Sequence, residues 1–311
     1  MTARKRTRVA GMAIATLLLF GPGCRKNSSA PTGTSDANPS LSSNQDAAQS
    51  IANAIGEDNG GVTDQLGDMA DETGSSGISA NVGSASPNGA LMKSVSTAGD
   101  SVTKTYNPSD TSWTVTVVRN RVGLLGRQAG FTRTYYIKFI DQDGVAQPRY
   151  ITANTPADTA STILFTILNG SGYTITRFAS THLLSLSGNF TATGANTSVL
   201  TVNGTFTRTG TDTITTQGGE RVLDYTLSAS LQDVTRPRTP RYGLVSTGPR
   251  ATGGTITGTY TATVTVLKGE SYSERSFTKT FTVTFGDGTG SIDIGGAKFA
   301  CDLQVGEATA D

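Results

Sequence analysis

The sequence predicts a mainly β protein: a long antiparallel meander forming a curled sheet or open barrel, with a short N-terminal helical segment packed on it. Three observations carry that expectation. From Ser101 onward apolar residues alternate with threonine, as in Trp113, Val115 and Val117 against Thr114 and Thr116, which is the period of a strand with one buried face. Turn signals divide the alternating runs at Asp143-Gly144, Asn169-Gly170, Gly218-Gly219, Asp287-Gly288 and Gly295-Gly296, and such residues suit tight hairpins because they tolerate positive φ. Between 45 and 71 the apolar residues recur instead at three or four, the helical period.

Residues 1–23 read as an export signal. Arg4, Lys5, Arg6 and Arg8 precede an apolar run from Val9 to Phe20; Gly21, Pro22 and Gly23 follow, then Cys24. Cationic, then apolar, then small is the secretory order, and the apolar run is well short of the about 20 residues a membrane-spanning helix needs. A cysteine directly behind small residues resembles the lipobox of bacterial lipoproteins, with Gly21 where that motif usually has leucine and Pro22 in the next position. The resemblance implies cleavage before Cys24, a diacylglycerol on its thiol and an acylated amine, and therefore an anchor in a membrane. In enteric members an aspartate after the cysteine retains the protein at the inner membrane; Arg25 stands there in this chain, which implies the outer one.

Residues 24–44, rich in Ser, Ala, Asn, Pro, Thr and Gly, bury too little to order themselves and read as a flexible tether. In 45–71, Ala47, Ile51, Ala54, Ile55, Val62, Leu66 and Met69 form a stripe interrupted at Gly60-Gly61, so two short helices or one broken helix are expected, needing a sheet to pack against. Residues 72–100 read as a linker, 101–305 as the antiparallel β domain and 306–311 as a tail. The expected strands are 101–107, 111–119, 131–141, 148–153, 161–168, 172–178, 182–192, 197–208, 211–217, 220–232, 253–267, 272–286, 290–295 and 297–304. The pair 253–267 and 272–286 far exceeds the usual ~5–6 residues and must twist and coil. No sequence period repeats along the domain, which disfavours a solenoid or propeller. Alternation would also fit an outer-membrane barrel; a non-aromatic last residue and the lack of aromatic girdles argue against it.

The full chain is near neutral, with 25 basic and 24 acidic residues. Four of the basic residues belong to the signal, so the remainder carries 21 against 24, near −3. That is no nucleic-acid footprint.

Catalytic chemistry is sparse. His182 is the sole histidine and there are two cysteines, which excludes the common zinc sites. A Ser-His-Asp triad would have to use His182, and no G-x-S-x-G elbow accompanies it; it reads as a strand residue. There is no phosphate-binding or dinucleotide loop, and neither a cofactor nor a metal is expected. Asp141 to Gly144 and Gly286 to Asp293 read as hairpins rather than calcium loops. Cys301, in phase with Phe299 and Leu303, reads as a buried hydrophobe; if Cys24 escapes lipidation, a disulfide between the two is the alternative in an oxidising compartment.

One segment breaks the pattern. Thr235 to Arg250 holds Arg236, Arg238, Arg241 and Arg250 among Pro237, Pro240 and Pro249. These arginines are the candidates for binding phosphate or carboxylate groups of an envelope polymer, or a partner protein; a solvated basic connection is the plain alternative. The sequence thus reads as a lipid-anchored cell-envelope protein of structural or binding role, without catalysis, placed at the outer membrane. The alternative is a periplasmic carrier of an apolar or lipid ligand in an open β-barrel, since long coiled strands under a helical lid resemble, in outline, periplasmic lipoprotein-carrier half-barrels. An interior larger than its own side chains can fill would favour that alternative.

Overall fold

A computed structural model describes residues 39–73, 101–122, 128–152, 159–176, 179–216, 219–238, 250–268, 271–286 and 288–311. Two helices come first, α1 (Pro39–Ile55) and α2 (Val62–Asp71), joined through a 3-10 turn at Glu57–Asn59. The break falls at the expected glycines: Gly60 is left-handed at φ +64, which costs glycine nothing. The whole predicted apolar stripe is buried. Every residue of α2 from Val62 to Ala70 is buried, although the helix carries Asp64, Gln65 and Asp68. Its polar face must therefore find partners in the protein.

Thirteen strands follow: β1 (Ser101–Asn107), β2 (Ser112–Val122), β3 (Gln128–Ile140), β4 (Ala146–Gln147), β5 (Thr162–Ile175), β6 (Ala179–Thr193), β7 (Val199–Thr216), β8 (Gly219–Pro237), β9 (Gly253–Lys268), β10 (Ser271–Gly286), β11 (Thr289–Ile294), β12 (Ala297–Asp302) and β13 (Glu307–Ala310). They form one antiparallel sheet in sequence order, with the short β4 set aside on β3. The sheet is not closed into a barrel: β1 lies at one edge and β13 at the other.

The sheet curls around the helices. Lys104 of β1 reaches Glu72 at 2.6 Å, while the Ala308 N–H of β13 donates to Gln49 of α1 at 3.2 Å. Laid flat, the intervening strand spacings of about 4.8 Å would put those edges roughly 50 Å apart, far wider than two helices of about 10 Å each. Shifts in register at Thr134/Tyr135, Leu183/Ser185, Val202/Gly204 and Gln232/Thr235 supply the bends such long strands need.

The strand directions define two rims. The β2–β3, β5–β6, β7–β8 and β9–β10 connections lie on one, the first rim; the β1–β2, β6–β7, β8–β9 and β12–β13 connections lie on the second. α1 enters near the first rim, where Asp46 pairs with Arg221 and Arg275. It ends near the second, where the Glu57 N–H donates to the Leu303 carbonyl at 2.9 Å. α2 then turns back.

Several strand expectations need correction. Asn169-Gly170 is no turn: β5 runs straight through it, with Arg133 opposite Gly170. The glycine is there because Leu186 and Arg133 cover it, at 3.0 to 3.4 Å from where a Cβ would stand. Likewise β7 is one strand and not two, and Gly210 at the expected break lies under the Tyr225 hydroxyl. In both cases a strand glycine marks close approach rather than reversal. The strand expected at 148–153 reduces to a single bridge, Ile151 with Thr159. The C-terminal residues set apart as a tail include β13, paired along β12. Gly295 and Gly296, at φ +60 and +88, do form the expected tight hairpin.

Candidate functional site

The interior polar cluster is built on the alternation of β3 and β7. Arg133 lies between Phe131 and Tyr135 on the inner face of β3, and Arg208 follows Phe206 by two on the inner face of β7, so the strand period alone drives both guanidinium groups inward. Arg133 is 1% exposed. Its Nη1 donates to Asp64 at 2.6 Å and to Asp68 at 3.2 Å, and its Nη2 donates to the Gly60 carbonyl at 2.7 Å. Asp64 and Asp68 stand one helical turn apart on α2 and so present one face. Tyr135 donates to the same Asp68 oxygen at 2.6 Å, and Arg119 of β2 pairs with Asp68 through the other. Burial, reinforced by the charge of Asp68, pushes the Tyr135 hydroxyl well above its ordinary pKa. Tyr135 is therefore a donor and not a base.

A second buried group joins α1 to the middle of the sheet. Ser50 donates to Asp212 of β7 at 2.6 Å, and the Arg208 Nε donates to the Tyr225 hydroxyl at 2.9 Å. Burial raises the Asp212 carboxyl above its ordinary value, opposed by hydrogen bonds and by Arg208, and pushes the Tyr225 hydroxyl up to about 12. At the α2 end, burial raises Glu72 as well, against the pull of Lys104. The Ser50–Asp212 hydrogen bond and the Lys104–Glu72 and Arg133–Asp64 ion pairs fix helix to sheet, and for the ion pairs the loss of hydration largely offsets the attraction. They specify where the helices sit more than they add stability.

The arginines that the sequence singled out fall near the second rim. Arg236 lies on β8 itself, 1% exposed, with Nη1 donating to the Thr63 carbonyl at 2.9 Å. Arg238 donates to the Thr197 carbonyl at 2.7 Å and to the Tyr150 hydroxyl at 2.6 Å, its guanidinium 5.5 Å from the Tyr150 ring centre. Arg250 donates to Gln304. Arg241 and the lipobox cysteine Cys24 lie outside the described residues. Arg236 thus ties the end of β8 to α2, and Arg238 and Arg250 tie the β8–β9 connection to the β6–β7 turn and to the β12–β13 turn.

Other singled-out residues are placed as follows. His182 is on the exposed face of β6, opposite Tyr173 and Thr211. Cys301 is free, 3% exposed, and burial with the Asp302 charge pushes its thiol up to about 12, which makes it inert rather than nucleophilic. The Asp141 carboxylate caps its own turn, accepting from the Asp143 and Val145 N–H groups at 2.9 and 2.8 Å. Among the described residues no three His, Cys, Asp or Glu side chains gather as a metal site.

No protein-family model, curated protein or solved structure matches this chain. Sequence reasoning passed over Arg133, Asp64, Asp68, Arg208 and Asp212. The signal was present: an arginine in the buried phase of a strand, and acids spaced i, i+4 on an apolar helix.

Proposed function

We propose that the chain is a lipid-anchored cell-envelope protein whose β domain serves a structural or binding role rather than a catalytic one. The observation that carries this reading is the order of residues 1–24, cationic, apolar, small and then cysteine. Acyl chains at about 0.8 kcal/mol per buried methylene would hold the mature protein on a membrane. A structural or docking role is supported by helices fastened to the sheet at both rims and by the buried Arg133 that holds α2 to β3. The space that a carrier of apolar ligand would keep for cargo is taken by α2, buried on all sides, so the structural or binding reading is preferred. Outer-membrane placement, with Arg25 after the cysteine, belongs to the same proposal, as does binding of an anionic polymer or partner by Arg238, Arg241 and Arg250.

The test is the mass of the protein recovered from a bacterial membrane fraction. A mature chain beginning at Cys24 with acyl groups supports the proposal, with loss of membrane association in Cys24→Ser. A chain retaining residues 1–23 in the soluble fraction refutes it.

A further inference from the structure

Five of the nine large apolar side chains exposed among the described residues lie at the first rim: Val122 at 84%, Tyr272 at 62%, Leu267 at 40%, Ile175 at 39% and Tyr173 at 36%. They end β2, β10, β9 and β5, next to the hairpins of that rim, and Tyr272 faces Leu267 directly across the ladder. Nothing in the alternation requires them. Elsewhere the outer face of these strands carries threonine, paired across strands as Thr261 with Thr278 and Thr263 with Ser276. Large apolar groups replace it mostly where the strands run out; Leu168 of β5 and Leu184 of β6 are exposed within their strands.

The same rim is where the described chain begins. Asp46 is held there by Arg221 and Arg275, and α1 starts seven residues earlier at Pro39. Only 14 residues separate Cys24 from Pro39. Fourteen residues can bridge at most about 50 Å. α1, which runs from the first rim to the second, has 17 residues, about 25 Å. An anchor at Cys24 therefore reaches a bilayer beside the first rim directly, and one beside the second rim only if the intervening segment also doubles back along α1.

We infer that the first rim is a membrane-facing surface, whose apolar strand ends rest in the headgroup region of the bilayer that holds the anchor. This rests on the anchored reading of Cys24. Tyrosine suits that depth, with an apolar ring and a polar tip. Tyr272 keeps its hydroxyl on Glu274, so the rim lies at the interface and does not enter the hydrocarbon. The second rim, with Arg238 and Arg250, then faces away from the membrane, toward envelope polymers or partners.

The experiment uses the full chain, matured in a bacterial host, in vesicles of phosphatidylethanolamine and phosphatidylglycerol containing brominated lipid. Bimane is attached at Val122→Cys or Tyr272→Cys on the first rim, and at Val145→Cys or Val199→Cys on the second. Expected is quenching of bimane emission at the first pair and none at the second, with acylated Cys24 seen by mass in the same samples. Acylated protein with equal quenching at both rims, or at neither, overturns the orientation and leaves the anchor standing. Protein bearing no acyl group overturns both.

Discussion

Arg133 and Asp64 are 69 residues apart in sequence and 2.6 Å apart in space, both sealed from solvent. With the bonds of Arg133 and Tyr135 to Asp68, that pair joins the second helix to the third strand, and it sets what the interior can tolerate.

Arg133→Met should destabilise the fold by about 3–5 kcal/mol, because it leaves Asp64 buried without the cation it bonds and Asp68 with Arg119 alone. Combining it with Asp64→Asn and Asp68→Asn should recover much of that loss. Urea unfolding of the single and triple variants checks this; a triple variant no more stable than the single one would refute the pairing.

Strand glycines give a second expectation. In Gly210→Ala the new Cβ would stand 2.6 Å from the His182 carbonyl and 2.8 Å from the Tyr225 hydroxyl, and overpacking of this kind costs about 1–3 kcal/mol. Gly286→Ala meets nothing within 4 Å and should melt close to the wild type. Equal thermal midpoints for the two variants would contradict the close approach.

The pH dependence follows from Asp212. Burial raises its folded pKa above the ordinary 3.8. The folded state therefore holds a proton that the unfolded state has already released. The contribution to stability is complete below 3.8 and is lost as pH rises through the raised folded value. Measured against Asp212→Asn by urea midpoints, the wild type should fall in relative stability over that rise. A difference between the two that stays flat across the window would show that the carboxyl is not displaced.

Cys301 should resist thiol reagents in the native state. In a Cys24→Ser chain, which leaves it the sole thiol, iodoacetamide at mildly alkaline pH should modify the protein only once denaturant opens it. Prompt labelling of the native protein would place Cys301 at the surface.

Much of this architecture was legible in the sequence, and what escaped did so for physical reasons. The alternation of Tyr260, Ala262 and Val264 with Thr259, Thr261 and Thr263 fixes which side of β9 is buried without reference to any partner. The apolar stripe from Ala47 to Met69 likewise states which helix faces are covered. Gly170 and Gly210 were misread because one residue type serves both tight turns and crowded strands, and only the neighbour across the ladder tells them apart. The inward arginines were readable as a phase: Arg133 keeps step with Phe131 and Tyr135. Its partners were not, since no local pattern connects a strand residue to acids on a helix 65 to 69 positions away. Arg238 was singled out for its charge among prolines, whereas its surroundings are set by Tyr150 and Thr197, residues far from it in sequence.

The grip of Gln49 on Gly306 and Ala308, across more than 250 positions, has a consequence for how the molecule is made. The helices leave the ribosome first, yet their last handholds are among the final residues of the chain. Contacts of such separation pay their closure entropy late and slow assembly. A nascent chain would thus stay open for the whole of its synthesis, a form suited to being threaded through a narrow channel, and would acquire its finished core only when the C-terminal strands arrive.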